Sequence, residues 1–392
     1  MTPSFLRKWH RCIAFSGWQN ELGLTSKNRF THMLSLTLFV FAALCVFFPG
    51  TRLTAAPVDI LPSALRGAAQ PQVAVAPGGR IHIAFGKGNA IYHTGSADGR
   101  VFSLPVKVAE LPKLALGMRR GPRIVATDKV IAITAISHAS GDLVSWNSTD
   151  GGATWKEGAK LNSAPKSAGE GLHAMAGDGQ GNVFATWLDL RSGGTELWGA
   201  ASQDGGASWS PNALIYHSPD GHICECCHPN VAMDATGRVA VMWRNWLGGS
   251  RDLYLVTRSD RGKTFGPARK LGEGTWKLDG CPMDGGSIAI NPSGEVLTAW
   301  RREKTVFASS ATTPEQRLAE GSQALVLSTS KDTLYFWESA GGLMIRRNDA
   351  QPARLADRAH MAAAALLPKG GVIVVWESTA DGVVTLLAET LP

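Results

Sequence analysis

The 392-residue sequence predicts an all-β fold, a β-propeller of four-stranded antiparallel blades, seven by repeat count. Two observations carry this. A turn glycine followed by an apolar run ending in Trp recurs along the chain, in "GNVFATW" (Gly181–Trp187), "GRVAVMW" (Gly237–Trp243), "GEVLTAW" (Gly294–Trp300) and "GGVIVVW" (Gly370–Trp376). The composition agrees: 44 Gly, 13 Trp and only 18% charged residues suit short strands and tight turns rather than long surface helices.

The N-terminal 55 residues read as an extension with an export signal or membrane anchor, and residues 56–392 as one propeller domain. Met33–Phe48 is an apolar run preceded by Lys27 and Arg29 and followed by "PGTRLTAAP", the pattern of a signal segment. It is short for a spanning helix, which needs about 20 apolar residues. Retention of residues 33–48 as an anchor is the alternative to cleavage near Ala55 or Ala56. The expected location is therefore the periplasm or the exterior, with membrane contact only through this segment.

Charge removes one functional class. The net charge of +7 suggests a polyanion partner, but residues 1–55 hold six Lys/Arg against one acid and account for most of it. The remainder is close to neutral, with no basic stripe to neutralise phosphates, so nucleic acid is not an expected partner.

Beyond residue 56 the elements follow in order. "GRIHIAF" (Gly79–Phe85), "KVIAITA" (Lys129–Ala135) and "DTLYFW" (Asp332–Trp337) are weaker copies of the Gly-to-Trp strand and bring the count to seven. A short strand precedes each, as in "GPRIVATD" and "HPNVAMDATG". A third follows, as in "DLVSWNS" and "ELWGAAS", and in most repeats a fourth, as in "VKVAEL" and "PARLAD". The last repeat, His360–Pro392, lacks a fourth strand. "APVDILPS" (Ala56–Ser63) stands unpaired at the start and is expected to complete it, closing the ring and removing an exposed edge. The recurrent Trp side chains are expected between blades as core, and only secondarily as a ligand platform.

The turns between third and fourth strands are the most specific signal. "STDGGATW" (Ser148–Trp155) and "SQDGGASW" (Ser202–Trp209) are clean copies, "RSDRGKTF" around Asp260 and "SADGRVF" around Asp98 degenerate ones. In each the Asp carboxylate can bond backbone N–H groups and Gly takes positive φ. These turns resemble Asp boxes, the BNR-type repeat of sialidases and related propellers, and the resemblance covers roughly residues 70–390. Sialidases have six blades, so six is the alternative to the seven counted.

The resemblance implies a glycoside hydrolase of the exo-sialidase type as one possible activity. That family holds the substrate carboxylate with three arginines and uses an Asp acid/base with a Tyr–Glu nucleophile pair. By position the weak catalytic candidates are Arg123, Asp189, Arg244 and Arg301. None of the four tyrosines, Tyr92, Tyr216, Tyr254 and Tyr335, is expected at the channel mouth, and whether the chain is an enzyme stays open. Such turns also occur in propellers that are not sialidases.

A different chemistry is concentrated in "DGHICECCHPN" (Asp220–Asn230), a loop from the fourth strand of one blade to the first of the next. It carries Cys224, Cys226 and Cys227, with His228 beside them, and Cys281 lies at the corresponding place one blade later. Thiolates and imidazole together suit a soft metal, copper or zinc, and these five residues are the candidate metal ligands. A disulfide staple is the competing reading in an oxidising compartment. The expected protein is a monomer whose Arg-lined face takes a soft metal, a small anionic or carbohydrate ligand, or a protein partner at the channel mouth.

Overall fold

The computed structural model describes residues 56–259 and 264–392. The N-terminal extension and the segment Asp260–Lys263 of the degenerate fourth turn lie outside the described residues. Among those described, no helix is long and apolar enough to cross a membrane.

Seven four-stranded sheets form seven blades. Blades 1 to 6 span residues 69–110, 123–160, 173–216, 230–270, 287–320 and 322–357, and each is a simple antiparallel meander. Blade 7 contains Ala359–Leu366, Val372–Ala380 and Val383–Leu391, and its outer strand is Val58–Asp59 from the other end of the domain. Val58 pairs with Ala388 and Asp59 with Leu387. The seam is packed as well as bonded, since Ile60 and Leu61 are buried with Ile81, Ile83 and Phe85 of blade 1 and Ile373 and Val375 of blade 7. Seven blades are therefore present, not the sialidase six.

The core is distributed. Seven apolar clusters sit at the seven blade-to-blade interfaces. Trp187, Trp243, Trp300, Trp337 and Trp376, from the second strands, are among the largest fully buried side chains and belong to five of them. Alternating apolar residues on a twisted blade face one neighbour on each side, so the Trp serves as packing between blades.

The turns between third and fourth strands are self-contained. The Ser148 hydroxyl donates to Asp150 Oδ1 at 2.8 Å and accepts from the Gly152 N–H at 2.9 Å. Thr154 gives both its backbone N–H (2.9 Å) and its hydroxyl (2.5 Å) to the same carboxylate. Ser202, Asp204, Gly206 and Ser208 repeat these bonds one blade on. Hydrogen bonds to the charged form, led by the Thr154 hydroxyl, pull the Asp150 carboxyl below its ordinary range.

Candidate functional site

The loops joining fourth to first strands, and second to third, gather on the face opposite these turns. The loop before blade 4 is pinned at several points. Thr195 O accepts from the Ile223 N–H at 2.8 Å and Arg244 O from the Cys224 N–H at 3.1 Å, so the segment extends the sheet edge on both sides. Asp220 Oδ2 accepts from the Gly248 N–H at 2.6 Å, the Ser218 hydroxyl donates to Trp246 O at 2.8 Å, and Ile223 is fully buried in the interface between blades 3 and 4.

This pinning turns three thiols inward. The sulfur atoms of Cys224, Cys226 and Cys227 lie within 4.8 Å of one another, and all three residues are buried. Cys224 and Cys226 Sγ are 3.6 Å apart. Bonded sulfurs would be at about 2.05 Å, and the four cysteines of the domain are free thiols. Around the trio are N–H donors rather than acceptors. Arg251 Nη1 donates to Cys224 Sγ at 3.1 Å, and the Asp284 N–H to Cys227 Sγ at 3.4 Å. Met283, at φ +55°, packs its side chain against the three sulfurs.

Hydrogen bonds from Cys226 and Cys227, reinforced by the Arg251 charge, hold the Cys224 thiol far below its ordinary range. The same contacts with Cys224 push Cys226 up, and burial pushes Cys227 up to about 12.

Two of the five candidate ligands stand elsewhere. Cys281 is exposed and is not one of the three clustered thiols. An equivalent place one blade on is a different place around the ring, and blade 5 instead brings Met283 and Asp284 to the trio. His228 lines the central channel, with its Nδ1 shielded from solvent and without a hydrogen-bond partner.

The arginines flanking the trio are committed to backbone. Arg244 is buried, and its Nε, Nη1 and Nη2 donate to Asp284 O (2.9 Å), Arg251 O (2.6 Å) and Arg301 O (2.9 Å), tying blade 4 to blade 5. Arg301 Nη2 donates to Pro282 O at 2.7 Å, and its Nε is 3.4 Å from Asp284 Oδ2. Both guanidiniums flank the Trp276 ring, at 5.2 and 5.3 Å. Asp189, with no exposed surface, accepts from Arg191 Nε (2.8 Å), Trp187 Nε1 (2.7 Å) and the Ser167 hydroxyl (2.8 Å). Arg123 donates only to carbonyls, those of Arg119, Gly121, Pro122 and His173. Arg244 and Arg301 share one network around Asp284 and Trp276, while Arg123 and Asp189 each sit in another. Beside the trio, the buried Arg251 lies over the Trp246 ring at 4.3 Å, and the His222 ring stacks with the same indole at 5.8 Å.

One residue at the mouth had no sequence signal. Arg119, in the loop between blades 1 and 2, reaches residues of blades 6 and 7. Its Nε donates to Gln323 Oε1 (2.7 Å) and Nη1 to Ala362 O (2.7 Å), while Nη2 lies 3.8 Å from Glu338 Oε1. Its φ is +64°, a strained conformation for a side-chain-bearing residue. Three carboxylates opposite it brace the ring: Asp284, Glu338 and Glu377 accept from the N–H groups of Gln323 (2.8 Å), Met361 (2.7 Å) and Gln70 (2.7 Å) of the next blade. Those three donor residues are themselves at φ +54°, +51° and +59°, each where its inner strand bulges.

Comparison with known proteins places the fold. No family model matches the chain, and no curated protein matches it by sequence. Solved structures do. A catalytically inactive virginiamycin B lyase from Staphylococcus aureus, with quinupristin, superposes with a TM-score of 0.53 at 10% identity over 86% of this chain and 99% of that one. An α-L-arabinanase of Penicillium chrysogenum complexed with arabinobiose gives 0.51 at 15% identity over 86% and 98%. A protein of unknown function from Dyadobacter fermentans gives 0.51 at 17% identity over 86% and 99%. At these identities the likeness is one of fold. The class is defined by architecture: a seven-bladed β-propeller of antiparallel four-stranded blades.

Proposed function

We propose that this protein is an exported propeller that holds a soft metal ion, copper(I) or zinc, on the sulfurs of Cys224, Cys226 and Cys227. The observation that carries the reading is the buried trio with its sulfurs within 4.8 Å of one another. A metal bound to three sulfurs at about 2.3 Å needs them roughly 3.8–4.0 Å apart. The 3.6 Å between Cys224 and Cys226 Sγ is near that spacing. Thiolate ligands select soft cations, and the Met283 thioether against them adds to the preference. Metal binding would expel the remaining thiol protons. The N–H groups of Arg251 and Asp284 then serve as the outer partners that stabilise anionic sulfur. In an oxidising compartment an occupied site keeps the thiols from disulfide formation, and His222 and Trp246 beside the site offer a surface for a small ligand or a protein partner.

The alternative of a glycoside hydrolase of the exo-sialidase type, for which the Asp-box resemblance speaks, requires arginines free to grip a carboxylate. Arg123 and Arg244 have theirs turned to main-chain carbonyls.

The test is metal content. Protein purified aerobically should carry close to one equivalent of copper or zinc, lost in a folded Cys226→Ser/Cys227→Ser double variant and retained in Cys281→Ser. Two disulfides with no co-purifying metal would overturn the reading in favour of a staple.

A further inference from the structure

The central channel beneath Arg119 is a cavity of about 180 Å³. A single water needs only about 10–15 Å³ by such a measure. Its wall is drawn from the inner strands of every blade, with Gln72, Ala174, Asn230, Ser287, Val326 and Ala363 among the lining residues. Two arginines, Arg119 and Arg123, complete it together with His228, and no carboxylate is part of the lining.

Both arginines are buried, at 5% and 7% exposure. Their charges are not equally answered. Arg119 faces Glu338 across 3.8 Å, yet its Nη2 has no hydrogen-bond partner. Arg123 donates only to neutral carbonyls, and among the described residues no carboxylate forms an ion pair with it. Burial, with Arg119 beside it, pulls the Arg123 guanidinium down to about 9, the mark of a positive charge without its counter-ion. A buried charge is stable only when paired. The rest of the wall supplies further donor capacity: the Ser287 oxygen already accepts the Val326 N–H at 3.1 Å, which leaves its hydroxyl proton free to be given.

We propose that the channel is a binding site for a small tetrahedral oxyanion of the sulfate or phosphate class, held by the unengaged Nη2 of Arg119 and the Ser287 hydroxyl, with Arg123, whose N–H groups are given to carbonyls, contributing its charge. A guanidinium with an unengaged N–H prefers an oxyanion, whose lone pairs it meets in a charge-assisted bond. Arg119 is then a plug with two jobs, closing the mouth through Gln323 and Ala362 and presenting Nη2 to the anion. The site is independent of the thiol trio, since none of the cysteines lines the cavity.

Two measurements on the full chain test this. Thermal melts in sulfate against gluconate at matched ionic strength should show a saturable rise for the native protein. Arg119→Gln should need roughly tenfold or more sulfate for the same rise, the worth of one charge-assisted bond. Crystals of the native protein soaked in selenate should show an anomalous selenium peak between the two guanidiniums, an arm that needs no variant to fold. An equal sulfate response in Arg119→Gln, or a channel free of selenium at saturating soak, overturns the proposal.

Discussion

On one face of the propeller the turns between third and fourth strands satisfy themselves, while on the other each loop is satisfied by a neighbour. The Ser148–Trp155 turn closes its bonds within eight residues, and the Trp155 indole N–H returns to Gly152 O at 3.1 Å. Across the molecule Arg244 ties three loop carbonyls together, and Glu338, Glu377 and Asp284 each serve the next blade. A self-contained turn can recur as a sequence pattern because every partner is local. A shared loop cannot, because its partners are tens or hundreds of residues away. The thiol trio and the unengaged Arg119 nitrogen are both on the shared face.

The largest effect that would sharpen this contrast is expected at Arg244. Arg244→Met keeps most of the volume but strips three buried carbonyls of their charged donor, and should cost about 3 kcal/mol or more in urea melts. Arg244→Lys should recover little, since one ammonium cannot span three carbonyls fixed by a planar fork. A loss below about 1 kcal/mol would mean that the bonds are dispensable and the arginine is free for another role.

How much of this was legible follows the same division. The seven strands ending in Trp or its substitutes, the turns at Asp150 and Asp204, and the unpaired Ala56–Ser63 segment all show in the sequence. Period, glycine placement and a missing strand are local or countable. The thiol cluster was also visible, because its three members lie within four positions. The exposure of Cys281 was not, nor the plug at Arg119. Both depend on loops whose backbone is set by tertiary contact: Met118, Arg119 and Met283 all hold positive φ without being glycine. No periodicity announces such a conformation, since only the finished ring pays for it.

A smaller effect is expected from acid, and it is read on the turn side of the interface between blades 1 and 2. His82 Nδ1 and His93 Nε2 are 3.0 Å apart in the buried wall of blade 1. Burial, with the charge of Arg80 nearby, lowers His82 to about 4, and burial together with His82 lowers His93 to about 3. Both folded values lie below the unfolded 6.5, so the unfolded chain binds protons first. The stability these neutral rings permit is complete above about pH 6.5 and declines as pH falls toward 4, by up to about 1.4 kcal/mol per pH unit for each ring. Urea melts at pH 7.5, 6 and 5 should show the decline, and His93→Gln should flatten it even if it starts lower. An equal slope in that variant would move the acid response to His173, which burial also depresses.

The smallest single effect is expected at Gly151, and the turn glycines taken together separate backbone strain from neighbour contact. Gly151, Gly152 and Gly206 have φ of +74°, +94° and +90°. A Cβ added at Gly151 meets nothing within 4 Å, so Gly151→Ala measures strain alone, about 1 kcal/mol. At Gly206 the same atom would lie 2.7 Å from the Ala132 Cβ of the preceding blade. At Gly152 it would run into the His93 ring, which is held between His82 and Trp155 and has nowhere to turn. The order of loss should therefore be Gly151→Ala, then Gly206→Ala, then Gly152→Ala, rising to about 3 kcal/mol as overpacking is added to strain. Three equal losses would mean that the turns are local in packing as well as in hydrogen bonding. The expected ladder instead shows these turns leaning on their neighbours chiefly through van der Waals contact, where the opposite face depends on its neighbours for hydrogen bonds and charge.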